Sequence, residues 1–424
     1  MRAYNLLRLK TALRQYREVY ERTGSHWQAA RFLYRFVVTK MPLLLRQAVQ
    51  ATRRGQVVAE IGAARRDGVP LLGIRVTGGL GDYLTIARFV RDLADAAGGI
   101  AADAAGGIAF DIYCTAPARA QWVFAAVPGL RACYDDILFD AAMAQYDVAL
   151  WAGSFVLIHQ DTVRWDRVRS RPGLLRAVEA AIRYQPKIDL FIRHHPQTDG
   201  FLARKAVFSN ACRADYLHLI AGLAYGGDRL PVSLDAEAPR RFGLEPGGYV
   251  TVHNGFDPGF VVTAERATKC YPFFGQVVAR LKAARPGLRV VQLGAATSDR
   301  IAEADADLLG RTSLLEAAGI LAGARLHIDN EGGLVHLARC LGVRSAVVFG
   351  PTPSDYFGYA GNINIDPTFC GGCWWINQSW MNQCPRDFPT ARCMTEQPPE
   401  AVADAILRGL ADSAAAEPRT VAAR

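Results

Sequence analysis

The chain has 424 residues, 50% of them hydrophobic, which is enough for two domains with appendages rather than one ordinary core. Its net charge of +9 is uneven: residues 1–54 hold 12 Lys/Arg against two acids, a net of +10, and the remainder, 37 against 38, stands at −1. Basicity confined to one segment argues against a nucleic-acid partner, and that segment has no apolar run long enough for a bilayer span or a secretory signal.

Residues 1–68 read as a basic helical extension of two or three short amphipathic helices. Leu6, Leu7, Leu9, Leu13 and Tyr16 mark one apolar stripe; Trp27, Phe32, Leu33 and Phe36 mark another. Two readings stay open here: helices lying on an anionic membrane through residues 1–54, or an extension packed on its own domain or a second subunit. The expected location is the cytoplasm, or the inner membrane face, where nine cysteines are free thiols or metal ligands rather than disulfides.

From Val69 strands and helices alternate, the mark of a parallel α/β architecture. The apolar run Leu71–Val76 leads through Thr77-Gly78-Gly79-Leu80-Gly81-Asp82 into a helix over Tyr83–Ala96. Further strands are expected at Phe110–Cys114, Asp135–Leu138 and Asp147–Trp151, with a helix over Pro117–Ala126. Between them, Ala94–Ala101 is copied unchanged as Ala102–Ala109, a tandem duplication of small residues that a surface loop tolerates. Residues 152–235 carry many arginines and Arg193-His194-His195-Pro196, followed by a helical run near Ala211–Tyr225. This region is either a solvated face or an excursion toward an anionic acceptor.

A Pro/Gly-rich stretch, residues 239–248, reads as a linker between a first domain at 69–238 and a second at 249–411, with a disordered tail at 412–424. The second domain opens with the strand Tyr249–His253, followed by Asn254. Next come Thr268-Lys269, a helix over Phe273–Ala284, a strand over Leu288–Leu293, and Gly310-Arg311-Thr312-Ser313 opening a helix to Ala322. A strand over Arg325–Ile328 then meets Asp329-Asn330-Glu331-Gly332-Gly333 and a helix bearing Leu334 and His336. A strand at Ser345–Phe349 ends on Gly350-Pro351. Bare backbone N–H groups at such a helix start suit a phosphate.

These motifs resemble GT-B glycosyltransferases of family 9, the heptosyltransferase-like group. The matches are Gly81-Asp82, Thr268-Lys269-x-x-Pro272, Gly310-x-Thr312-Ser313-Leu314, and Glu331-Gly332-Gly333-Leu334-Val335-His336 with Gly350-Pro351. The resemblance implies two Rossmann-like domains facing a cleft, with an inverting transfer of sugar from a nucleotide donor such as an ADP-heptose. The implied acceptor is a hydroxyl of a bacterial glycan such as lipopolysaccharide core, lipid-linked or free, or a protein of autotransporter type. A nucleotide-binding protein that transfers nothing is the alternative class, against which stands the lack of a G-x-G-x-x-G fingerprint.

The resemblance makes Asp82, whose local chemistry alone fits a helix cap, the general base. Lys269 becomes the cation on the leaving diphosphate, with Thr268, His253 and Asn254 adding hydrogen bonds. Thr312, Ser313, Gly332, Gly333, Leu334 and His336 fall on the donor side. Glu331, standing where many relatives carry Asp, is expected to reach sugar hydroxyls. Beyond them, Cys370, Cys373, Cys384 and Cys393 form a C-x2-C-x10-C-x8-C pattern, the layout of a tetrathiolate site for zinc or iron. Scattered thiols or two disulfides are the other readings. Any metal here is expected to be structural, with none needed for catalysis.

Overall fold

A computed structural model describes residues 16–65 apart from 18 and 22, and residues 68–98, 107–255 and 266–414. Two compact units emerge. One comprises residues 1–64 with 137–145, and the other residues 65–136 with 146–424.

In the first unit one helix runs over His26–Ala63, longer than any of the two or three short ones that the sequence suggested. Ser25 starts it, its hydroxyl accepting from the Gln28 amide. The arginines and lysines that interrupt the apolar stripe are themselves strong helix formers, so they break the pattern without ending the helix. Ala29, Val57 and Ile61 are buried, whereas Trp27 is 75% exposed. The stripe residues Leu6, Leu7, Leu9 and Leu13 lie outside the described residues, as do half of the tandem duplication and the end of the tail. Among the described residues no helix is long and apolar enough to cross a membrane.

The second unit holds both sheets. Strands β1 (Leu71–Val76), β2 (Ala109–Cys114), β3 (Leu130–Asp135), β4 (Val148–Ala152) and β5 (Val156–Ile158) form one sheet in the order β3-β2-β1-β4-β5. All its pairings are parallel except the edge pair β4–β5. The other sheet is parallel throughout, in the order β11-β10-β9-β6-β7-β8. Its strands are β6 (Tyr249–Val252), β7 (Arg289–Gln292), β8 (Ala306–Asp307), β9 (His327–Asn330), β10 (Ser345–Val348) and β11 (Ile363–Ile365). Central strands such as β1, with Leu72 and Ile74 fully buried, read as continuous apolar runs because helices cover both faces.

Several elements depart from expectation. The strand expected at Asp135–Leu138 is instead Leu130–Asp135, and Asp136–Leu138 is a 3-10 turn. Arg131 hid that strand: its charge breaks the apolar run, yet it is matched by Asp111 on β2 at 3.0 Å. β9 extends to Asn330, so Asp329 and Asn330 are strand residues and not a turn. Both are fully buried because each is satisfied, Asp329 by His253 and His327 and Asn330 by the Tyr271 amide. The helix expected near Ala211–Tyr225 is confined to Tyr216–Ala221, and residues 239–248 begin inside a helical turn, Ala238–Arg241. β5, β8 and β11 are edge strands of two or three residues, too short to show a period.

In both sheets the strand order reverses at the first strand, between β1 and β4 and between β6 and β9. Crevices open beyond the carboxyl ends of strands at such switch points.

Candidate active site

The carboxyl ends of β1, β4, β6 and β9 converge on one cavity of about 640 Å³, a size suited to a ligand larger than a simple sugar. Asp82, Ser154, His253, Lys269, Glu331 and His336 all line it.

Asp82 sits in the first turn of the helix Leu80–Ala96, three residues after its cap Gly79. One carboxylate oxygen accepts from the Gly79 amide at 3.0 Å and the other from Arg213 Nη2 at 2.7 Å. Gly78 lies at φ +108°, and a Cβ there would meet the Asp82 carboxylate at 2.1 Å, so this corner demands glycine. Arg213 is buried, and its own amide donates to the Tyr356 carbonyl. Burial opposes its charge, but Asp82 overrides that and raises the guanidinium above its ordinary value. Asp82 thus caps a helix and stays 37% exposed to the cavity at once.

On the facing sheet Lys269 donates to Glu331 at 3.0 Å, and His336 Nε2 stands 3.4 Å from the other Glu331 oxygen. Arg88, fully buried, donates to the Tyr359 hydroxyl, which is therefore free to donate its proton to His336 Nδ1 at 2.6 Å. That assignment puts the His336 proton on Nε2, aimed at Glu331. Burial alone would push the Glu331 carboxyl up; the Lys269 charge and the His336 hydrogen bond bring it down to about 2. Burial likewise opposes the Lys269 charge, and Glu331 reverses that and raises the ammonium.

Other expected residues divide. Thr312, Ser313, Leu314, Gly332, Gly333 and Leu334 line the cavity. Ser313 also caps the helix Leu314–Ala322 in a reciprocal box with Glu316. A Cβ on Gly333 would meet Leu80 at 3.1 Å, so that glycine serves the close approach of the two corners as well as any ligand. Thr268 is not on the cavity wall: its hydroxyl donates to the Trp380 carbonyl at 2.5 Å. Asn254 is tied to the Asp299 carbonyl and Gln292, also away from the wall, because its side chain holds the neighbouring loop around Asp299. His253 faces the cavity with Nδ1 held by Asp329 at 2.8 Å.

All nine cysteines are free, which removes the two-disulfide reading. Among the described residues no group of three or more His, Cys, Asp or Glu stands at metal-holding spacing, so the tetrathiolate geometry expected from the spacing is not formed. The four thiols are nonetheless neighbours. Burial, then Cys384 and Cys370, push Cys373 up to about 11, and Cys393 is raised by burial and by the other three. Their loop puts Trp374, Trp375, Trp380 and Met381 on the cavity wall.

Sequence reasoning missed Arg213 and the group around His195. His195 Nδ1 meets Asp199 at 2.8 Å, and Ser154 donates to the other Asp199 oxygen at 2.7 Å. The signal was a His and an Asp four residues apart at a helix start, hidden among arginines.

Residues 236–367 match the family model of glycosyltransferase family 9 (heptosyltransferase). A comparison with curated proteins gives no match. Among solved structures the chain is similar to the ADP-heptose lps heptosyltransferase II of E. coli, at 12% identity and a TM-score of 0.45, covering 81% of this chain and 99% of that one. It is similar to the iron-containing dodecameric glycosyltransferase TibC of enterotoxigenic E. coli H10407 at 18% identity and TM-score 0.48, covering 82% and 80%. A family 9 glycosyl transferase of Veillonella parvula DSM 2008 resembles it at 14% identity and TM-score 0.44, covering 81% and 97%.

Proposed function

We propose that this chain, whose residues 236–367 match the family 9 (heptosyltransferase) model, is a glycosyltransferase that transfers a heptose-like sugar with inversion. The donor is a nucleoside-diphosphate sugar such as an ADP-heptose, and the acceptor is a hydroxyl of a bacterial surface glycan such as lipopolysaccharide core. One observation carries the reading: a carboxylate from one sheet and a buried Lys–Glu–His cluster beside a helix N-terminus from the other line a single cavity.

In this mechanism the acceptor oxygen attacks the anomeric carbon as its proton passes to Asp82. The bond from that carbon to the diphosphate breaks on the opposite face. The departing negative charge falls beside Lys269 and the start of the helix Gly333–Leu341, where a fixed cation and unpaired amides stabilise it without reorganisation. Glu331 holds Lys269 in place and presents a carboxylate toward donor hydroxyls, and His336 supports Glu331 from behind.

The four-cysteine corner is the place we propose for a structural zinc or iron. Support comes from the C-x2-C-x10-C-x8-C spacing and from the nearness of the four free thiols, since a divalent cation would stabilise them as thiolates. No step of the transfer runs through it. A protein acceptor is the second reading, favoured by the tryptophans that this loop adds to the cavity wall. Nine free cysteines suit a reducing compartment.

The test pairs binding with transfer. Thermal shift against ADP-heptose, UDP-sugars and NAD should show stabilisation by a sugar nucleotide, and Asp82→Asn should keep that binding and lose transfer. Stabilisation by NAD alone, or undiminished transfer by the variant, would overturn the reading.

A further inference from the structure

His195 and its partners belong to no part of the mechanism above, yet they face the same cavity. Three residues from two places in the chain build the group. Ser154 follows β4, His195 ends a turn, and Asp199 opens the helix Asp199–Phe208. Asp199 is 2% exposed, and both its oxygens are occupied, one by the Ser154 hydroxyl and one by His195 Nδ1. A carboxylate only accepts, so the neutral ring must carry its proton on Nδ1. Nε2 is then left as a bare lone pair. No hydrogen bond to it is found among the described residues, and the side chain keeps 18% exposure while its residue lines the cavity. Trp151 and Phe155 meet the ring edge-on, at centroid distances of 5.3 and 5.4 Å, and fix its plane.

An oriented lone pair on a cavity wall, beside the sheet that carries Asp82, suits an O–H donor. Asp82 engages one hydroxyl, the attacking one, and His195 offers a place for another. We infer that His195, oriented by Asp199 and Ser154, accepts a hydrogen bond from a second hydroxyl of the acceptor, so that this enzyme selects a polyol over a mono-hydroxyl acceptor. Gly200 follows Asp199 in the same helix. A Cβ there would meet the Trp374 carbonyl at 2.1 Å, so the helix that positions Asp199 abuts the tryptophan loop directly.

This inference rests on the sugar-transfer reading, and its test separates the two. Nitrogen-15 NMR of histidine-labelled wild-type protein, with His195 assigned from a His195→Gln variant, reports the tautomer whatever the substrate is. Protonated Nδ1 and bare Nε2 are expected; a proton on Nε2 overturns the proposal. With ADP-heptose as donor and a heptose-deficient core oligosaccharide as acceptor, His195→Gln should raise the acceptor KM roughly tenfold, the scale of one lost hydrogen bond, and leave the donor KM unchanged. Asp199→Asn, which turns an amide N–H toward the ring and reverses the tautomer, should do at least as much. An unchanged acceptor KM, or equal rises for both substrates, overturns the proposal. Absence of binding by wild type to any sugar nucleotide would instead sink the transfer reading, and the inference with it, whatever the tautomer.

Discussion

Replacing Glu331 with Gln removes one charge from the centre of the Lys269–Glu331–His336 cluster and leaves its shape unchanged. The carboxyl falls from an ordinary 4.5 to about 2 in the folded protein, which corresponds to about 3 kcal/mol of stability at neutral pH. Glu331 and Lys269 are both well under a third exposed, so solvent screening takes little from that figure. The sign follows from the direction of the shift. A carboxyl depressed by folding contributes its full stability above pH 4.5 and loses it as pH falls toward 2. Chemical denaturation of wild type and variant should therefore differ by about 3 kcal/mol at pH 6 and by about 1 kcal/mol at pH 3. The variant should also bind a nucleotide sugar more weakly, because Lys269 is no longer held against its burial. A difference that stays constant from pH 6 to pH 3 would refute the reasoning, since a neutral packing defect does not titrate.

Three further outcomes are expected. Lys269→Met keeps the aliphatic stem and removes the charge, so single-turnover transfer should fall about 100- to 1,000-fold, the usual effect of losing one transition-state charge contact. Gly200→Ala pushes a methyl against the Trp374 carbonyl, a backbone atom that cannot rotate away; differential scanning calorimetry should show destabilisation by about 1–3 kcal/mol. Cys384→Ser with Cys393→Ser should abolish stoichiometric zinc or iron in elemental analysis of freshly purified protein, and metal retained at wild-type levels would remove the cysteine corner as its site.

Most of the frame was legible because buried parallel strands write themselves as apolar runs: Leu71–Val76, Tyr249–Val252 and Ser345–Val348 were all visible. The corners after them were legible through Gly-Asp and Glu-Gly-Gly, where Gly81 and Gly333 answer to close approaches that the structure contains. What escaped were residues whose meaning depends on distant partners. Arg213 meets Asp82 across 131 positions, and Arg131 passes for a loop residue until Asp111 neutralises it. Asp329 and Asn330 look like turn formers and are strand residues, because His253, His327 and the Tyr271 amide satisfy them in place. Thr268 erred the other way: its motif pointed at the ligand, and its hydroxyl is spent on Trp380.

The two sheets position each other's chemistry. Asp82 follows β1, and Arg213, whose guanidinium pins it, has its backbone amide held by the carbonyl of Tyr356, beyond β10. Glu331 rises from β9, and the chain that orients His336 toward it begins at Arg88, on the helix that follows β1. Arg88 also lies 3.9 Å from Asp228 and is fully buried. Pulling the corners apart would strand two buried guanidinium groups, each costing several kcal/mol when left unpaired. Gly81 tightens the same seam, since a Cβ there would meet His336 Cδ2 at 2.5 Å. Asp82 and Glu331 are therefore not independent parts brought together by the cleft. Each carboxylate is positioned through an arginine that bridges the two halves, so the spacing between Asp82 and Glu331 is set before any ligand arrives.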